Sequence, residues 1–232
     1  MKDFEIRNSK FEIKGILFDA GGTLIHVDGE AVCRAVGQPY SEDFFGQAEA
    51  AAHKEAREWI ARHPTSTDAE RFPIFVDAML RALGIDDAAA RREGGSRVAA
   101  EHQRANLWCR PGERAAETLE ALAGRGYRLG VVSNSNGHVR KLLERAGLAS
   151  FLKVIVDSAE VQIEKPDPRI FSVAVEALGL EPAACAYVGD IYDIDVVGAR
   201  AAGLRPILIG RCPAPEPVER VSRLEELLSV FL

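Results

Sequence analysis

Four short segments of the chain carry residue types that can do chemistry together, and each follows an apolar run. They are Phe18-Asp19-Ala20-Gly21-Gly22-Thr23, then Ser133-Asn134-Ser135-Asn136, then Glu164-Lys165-Pro166-Asp167-Pro168, and last Gly189-Asp190 with Asp193 and Asp195 close behind. Carboxylate oxygens from Asp19 and Asp190 suit a hard, six-coordinate cation such as Mg²⁺, which takes a few carboxylates, a carbonyl and water. Such a cation would offset repulsion between Asp19 and an incoming phosphate dianion. Ser133 and Lys165 can hold phosphoryl oxygens and stabilise charge in the transition state. Attack by Asp19 would then give an aspartyl-phosphate. Taken singly, these residues have plainer readings: a strand-end Asp is often a helix cap, Ser-Asn-Ser a turn, and Lys165 a solvated loop lysine. Asp193 can simply cap the helix that it precedes. Their order and placement make the case for a site.

The elements that must bring them together can be read from the apolar pattern. Short strands are expected near Ile13 to Phe18, Tyr127 to Ser133, Lys153 to Val156, Ala186 to Val188 and Pro206 to Ile209. Each is rich in β-branched residues or Leu and is bounded by Gly, Pro, Asn or Asp. Helical patterns lie between them. One opens at Pro111-Gly112, one runs from after Gly137 to Gly147, one has Asp167 as N-cap and Gly179 past its end, and one runs from Asp193 to Gly203. Strands alternating with helices mean right-handed βαβ units on a parallel sheet, which binds ligands at the carboxyl ends of its strands. All four segments fall at such ends.

Residues 27–108 break this rhythm and read as helices over Glu42 to His63, Glu70 to Leu83 and Asp87 to Leu107. Phe72, Phe75, Val76, Met79, Leu80 and Leu83 fall on one helical face, a packing stripe. Gly94-Gly95 reads as a kink or turn, because paired glycines cost helix stability. The expected architecture is α/β: a doubly wound, Rossmann-like parallel-sheet core over 1–26 and 109–232, interrupted by a helical cap over 27–108. Before it, Phe4-Glu5-Ile6 and Phe11-Glu12-Ile13 can pair as a small hairpin.

Composition narrows the partners. A formal net charge of -6 argues against a general nucleic-acid binder, which needs clustered excess Lys and Arg. The four cysteines, Cys33, Cys109, Cys185 and Cys212, lie far apart and form no zinc-type pair, as expected for reduced thiols. No apolar run reaches the roughly 18 residues of a membrane span. The N-terminal residues do not resemble a signal peptide, so the cytoplasm is the expected compartment. Nothing in the sequence sets the oligomeric state.

In order, the four segments resemble the four motifs of the haloacid dehalogenase superfamily of hydrolases. Phe18-Asp19-Ala20-Gly21-Gly22-Thr23-Leu24 is similar to the nucleophile loop, and Val131-Val132-Ser133-Asn134 to the second motif. Lys165-Pro166-Asp167-Pro168-Arg169-Ile170-Phe171 is similar to the third motif, and Val188-Gly189-Asp190-Ile191-Tyr192-Asp193-Ile194-Asp195 to the acidic fourth. The resemblance runs from residue 12 to about 210, with the helical insertion where the family places its C1-type cap. It implies Asp19 as nucleophile and Mg²⁺ ligand, with Asp190 and the Gly21 carbonyl as further metal ligands. Gly22, Ser133, Asn134 and Lys165 would bind phosphate, with Lys165 also catalytic, and Asp195 would stand behind the metal ligands. The implied substrate is a small phosphorylated molecule.

One position departs from the family pattern. Phosphatases of this family usually carry a second Asp two residues after the nucleophile, which protonates the leaving group and then activates water. Here that residue is Gly21. A general acid–base group typically contributes about 10²- to 10⁴-fold. Three readings follow: a phosphohydrolase that is slow, needs good leaving groups or borrows a base such as His26 or Asp28; a 2-haloacid dehalogenase, whose halide leaves unprotonated; or a non-catalytic homologue that binds a phosphorylated ligand or a protein. Dehalogenation needs no metal, and known family dehalogenases have an aromatic residue at the Gly21 position. On the first reading, Gly21→Asp is expected to raise activity. The cap offers no readable motif: Arg34, Arg57, Arg62 and Trp59 can face the crevice, but arginines on Ala-rich helices usually face solvent.

Overall fold

The structure, a computed structural model, describes residues 12–63 and 66–232; residues 4–6 and 11 of the expected hairpin lie outside them. Strand β1 (Gly15–Phe18) leads into a tight loop and then into β2 (Ile25–Val27). Four helices follow: α1 (Gly29–Val36), α2 (Glu42–Arg62), α3 (Asp68–Ala82) and α4 (Ala88–Ala105). The chain returns through β3 (Trp108–Pro111) to α5 (Ala115–Gly124), β4 (Arg128–Ser133), α6 (Val139–Arg145), β5 (Val154–Asp157) and the short α7 (Ser158–Val161). It closes with α8 (Pro168–Leu178), β6 (Cys185–Gly189), α9 (Val197–Ala201), β7 (Arg205–Ile209), β8 (Glu219–Val221) and α10 (Leu227–Val230).

Six strands form one parallel sheet in the order β5-β4-β1-β6-β7-β8. The order reverses beside β1, between its neighbours β4 and β6, and such a switch point opens a crevice at the strand ends. Alternation along the strands explains the two faces. Ile16 and Phe18 join Leu119 and Leu122 of α5 and Leu142 and Leu143 of α6 in one apolar cluster. Leu17 points the other way, into a cluster with Ile170, Phe171 and Ala174 of α8 and Ala199 of α9. Both faces of the sheet are thus buried, as a parallel sheet requires.

The four helices between β2 and β3 have an apolar core of their own, including Val32, Phe45, Phe75, Met79, Leu80 and Val98. Each starts at an oxygen-bearing side chain that accepts a free helix N–H: Asp28, Ser41, Thr67 and Asp87. No described helix is long and apolar enough to cross a membrane.

Several expectations need correction. The paired glycines do not break α4. Gly94 sits inside it, and a Cβ there would lie 3.1 Å from Leu80 Cδ1 and 3.3 Å from Val36 Cγ1, so the glycine permits close helix contact. Pro111 does not open a helix. It ends β3, where it pairs with Ile25, and the helix begins at Ala115. The segment after β6 starts with a wider π turn over Tyr192–Val196 that has no side-chain cap, so Asp193 is not an N-cap. Helix α1 and strands β2, β3 and β8 were not anticipated.

Candidate active site

Asp19 is the first residue after β1, Ser133 the last of β4 and Asp190 the first after β6, so the switch point itself brings them together. Lys165 arrives from the loop before α8. With Asp195 they line one crevice under the helical lobe.

Lys165 organises the centre. Its ammonium donates to Asp19 Oδ1 at 2.6 Å, Asp195 Oδ1 at 2.8 Å and the Tyr187 hydroxyl at 2.9 Å, which uses all three of its N–H bonds. The Tyr187 hydroxyl in turn donates to the Val132 carbonyl at 2.9 Å. The other oxygen of Asp195 accepts the Ile191 N–H at 2.9 Å, so both of its oxygens are committed to protein donors. Asn134 fixes the lysine's main chain from both sides: Lys165 N–H donates to Asn134 Oδ1 at 2.8 Å, and Asn134 Nδ2 donates to the Lys165 carbonyl at 3.0 Å.

Three carboxylates therefore face a single ammonium in a buried place. Oxygens of Asp19, Asp190 and Asp195 lie within 4.8 Å of one another. Asp190 Oδ1 is buried with no hydrogen-bond partner among the described residues. Burial, reinforced by Asp195 and Asp190, pushes the Asp19 carboxyl up to about 7 despite the opposing pull of Lys165. Burial and Asp195 likewise push Asp190 up to about 6. Burial alone would lower Lys165, but Asp19 and Asp195 hold it above its usual value. A surplus of oxygen ligands and negative charge, one oxygen of it unpartnered, suits a hard divalent cation.

Two expected phosphate ligands make other contacts in this structure. The Asn134 side chain gives one amide N–H and its oxygen to the Lys165 main chain, and Asn134 also lines the crevice. The Gly22 N–H donates to the Ile25 carbonyl at 2.8 Å, and Gly22 packs against the Asp190 carboxylate instead, where a Cβ would come within 2.8 Å of Oδ2. Ser133 stays on the crevice wall. Neither suggested substitute base reaches Asp19. His26 borders a neighbouring cavity with Gly22 and Glu49, and Asp28 accepts the Ala31 N–H at 3.1 Å as the cap of α1.

None of the four cap residues considered from the sequence lines the crevice. Arg34 and Arg62 are exposed, Trp59 stacks on His63 at 4.2 Å, and Arg57 lines the neighbouring cavity. The crevice is walled by His53, Arg71, Phe72, Phe75, His102 and Trp108. Arg71 is buried, its guanidinium donating to Ser66 Oγ at 3.0 Å and to the Ser66 carbonyl. Phe72 and Phe75 were read only as packing, and Tyr187 lies within an apolar run that reads as core; its polar tip was the one available signal.

Comparison with known proteins identifies the family. Residues 13–203 match the haloacid dehalogenase-like hydrolases. A phosphoserine phosphatase of Thermus thermophilus is 33% identical over 200 residues, covering 82% of this chain and 78% of that protein. A glyceraldehyde 3-phosphate phosphatase of Methanopyrus kandleri is 29% identical over 206 residues, covering 86% and 84%. The crystal structure of a dehalogenase with an intermediate complex shares the fold, with TM-score 0.64 at 24% identity over 95% of this chain and 97% of that one. The chain is thus a hydrolase and belongs to the haloacid dehalogenase-like hydrolase family.

Proposed function

We propose that the chain is a Mg²⁺-dependent phosphohydrolase that acts on a small phosphorylated metabolite through an aspartyl-phosphate on Asp19. The observation that carries this reading is the set of three carboxylates around the Lys165 ammonium, with Asp190 Oδ1 left unpartnered. The phosphatases of Thermus thermophilus and Methanopyrus kandleri among its relatives support it.

Asp19 and Asp190, with the Gly21 carbonyl, would hold Mg²⁺, which supplies positive charge against the repulsion between an anionic nucleophile and a phosphate dianion. Lys165 aims Asp19 through its 2.6 Å contact and brings its own charge to the phosphoryl oxygens. Ser133 offers a hydroxyl to the same oxygens. Asn134 and Tyr187 keep Lys165 in place, one by its main chain and the other by its ammonium. Asp195 stands behind, balancing Lys165 and fixing the Ile191 N–H. Dehalogenation leaves the unpartnered Asp190 oxygen without a purpose, since that chemistry needs no cation.

The test is phosphate release from a panel of phosphate esters with and without Mg²⁺, run beside Asp19→Asn. Mg²⁺-dependent release is expected, with a loss on the order of 10³-fold or more in the variant. No Mg²⁺-dependent release across the panel would overturn the proposal, and halide release from 2-chloropropionate would replace it with dehalogenation.

A further inference from the structure

The missing acid at position 21 leaves its place filled. A Cβ on Gly21 would lie 3.1 Å from Trp108 Cδ1 and 3.4 Å from Trp108 Nε1, so the indole edge occupies the space where that side chain would begin. The main-chain N–H of Trp108 donates to Asn106 Oδ1 at 3.0 Å, while the indole N–H has no protein acceptor among the described residues. Nor is it one of the enclosed, unpartnered atoms, and Trp108 lines the crevice together with Asp19. Around it stand three more rings of the same wall. Phe72, Phe75 and His102 lie at centroid distances of 6.0, 5.6 and 5.4 Å from Trp108.

His102 does not replace the acid. Its Nδ1 faces the Leu107 N–H at 3.2 Å and accepts from it, which puts the ring proton on Nε2. Burial lowers its pKa and favours that neutral form.

We infer that Trp108 stands in for the missing acid as a hydrogen-bond donor that keeps its proton, and that the site takes aryl phosphates, whose ring packs against Phe72, Phe75 and Trp108. This rests on the phosphohydrolase reading above. In the step, an Asp19 carboxylate oxygen forms a bond to phosphorus and the bond from phosphorus to the aryl oxygen breaks. The electron pair leaves with that oxygen as phenolate, and no proton moves. An indole N–H is only a donor, and phenolate is a far weaker base than an alkoxide. Phenolate can therefore depart on a hydrogen bond alone, whereas an alkoxide lacks the roughly 10²- to 10⁴-fold help of an acid. The flat aromatic wall supplies stacking surface for the departing ring.

The experiment measures kcat/KM with Mg²⁺ for a series of substituted phenyl phosphates, for acetyl phosphate and for glycerol 3-phosphate, using the wild type and Trp108→Phe. Three results are expected. The rate falls steeply as the phenol becomes more basic. 4-Nitrophenyl phosphate exceeds acetyl phosphate by about tenfold, although acetate is the better leaving group, because only the aryl ester buries a ring. Trp108→Phe keeps a ring but removes the N–H, so it steepens the fall and costs the most basic phenols about tenfold more than 4-nitrophenol. A purely structural role for Trp108 would scale every substrate equally and leave the slope unchanged. A flat dependence on phenol basicity would overturn the inference and point to a transferring acid, with His53 on the same wall as the one to test. So would acetyl phosphate outperforming the aryl esters, or an unchanged slope in Trp108→Phe. Turnover of acetyl phosphate without aryl preference sinks this inference alone; no turnover of any substrate sinks the phosphohydrolase reading with it.

Discussion

Gly21 and Trp108 are best understood as a pair. From sequence alone Gly21→Asp should raise activity, yet the indole edge 3.1 Å from the new Cβ means that the aspartate enters only if Trp108 shifts. His102 beside them makes a separate prediction about pH. Burial lowers its pKa below the usual 6.5, so the unfolded chain takes up protons first as pH falls. The stability contributed by the neutral ring is complete above 6.5 and is lost as pH drops through 6.5 towards the folded value. The urea midpoint of the wild type is therefore expected to fall further between pH 7.5 and 5.5 than that of His102→Gln; equal falls would show that His102 titrates alike in both states. Asp19, Ser133 and Asp190 were legible because each ends an apolar run, and Lys165 because it stands just before the Asp167-Pro168 helix start. Trp108, Tyr187 and Arg71 were not, since their roles come from contacts between residues far apart in sequence. The anchoring of the Lys165 main chain by Asn134 and the bond from the Gly22 N–H to Ile25 were not legible for a related reason, as spacing cannot tell which partners the fold supplies.

At the scale of elements, strong local signals were read correctly and weak ones were lost. Helix α8 has Asp167 accepting the Arg169 N–H, Pro168 in its first turn and Gly179 in the left-handed conformation, all signals that act within a few residues. Strands β2, β3 and β8 are only three or four residues long and include charged or aromatic positions that set no alternation. Gly94-Gly95 was misjudged because helix propensity was weighed without the neighbouring helices. The contacts of Gly94 with Leu80 and Val36 give that point a test. Gly94→Leu should lower stability by about 1–3 kcal/mol through overpacking in the helical lobe. Urea unfolding measures the loss; an unchanged midpoint would mean that the helices are not held this closely.

For the whole molecule, folding gathers three carboxylates and one ammonium at the end of a sheet whose order reverses there. That arrangement holds negative charge in surplus, a cost to the metal-free protein that a bound cation relieves. Mg²⁺ is expected to raise the wild-type melting temperature, as any ligand specific for the folded state does. Asp190→Asn should melt about 2–4 °C higher than wild type without Mg²⁺, the shift that ~1 kcal/mol gives a chain of this size, and should respond little to the ion. Differential scanning calorimetry of both proteins with and without Mg²⁺ checks this; a lower metal-free melting temperature for Asp190→Asn would contradict it. The parallel sheet and its helical insertion were legible at this scale because alternating elements allow few topologies.

Strands β2 and β3 pair antiparallel, so the two crossings between the sheet and the helical lobe form one ribbon. Trp108 is the first residue of β3 and therefore travels with that ribbon. The nucleophile loop is tied to the same ribbon, by the bridge between Gly21 and Ile25, by the Gly22 N–H donating to the Ile25 carbonyl and by the Gly112 N–H donating to the Leu24 carbonyl. The spacing of Trp108 from Gly21 is therefore set within the ribbon and its loop, and not by the helices that cover the crevice.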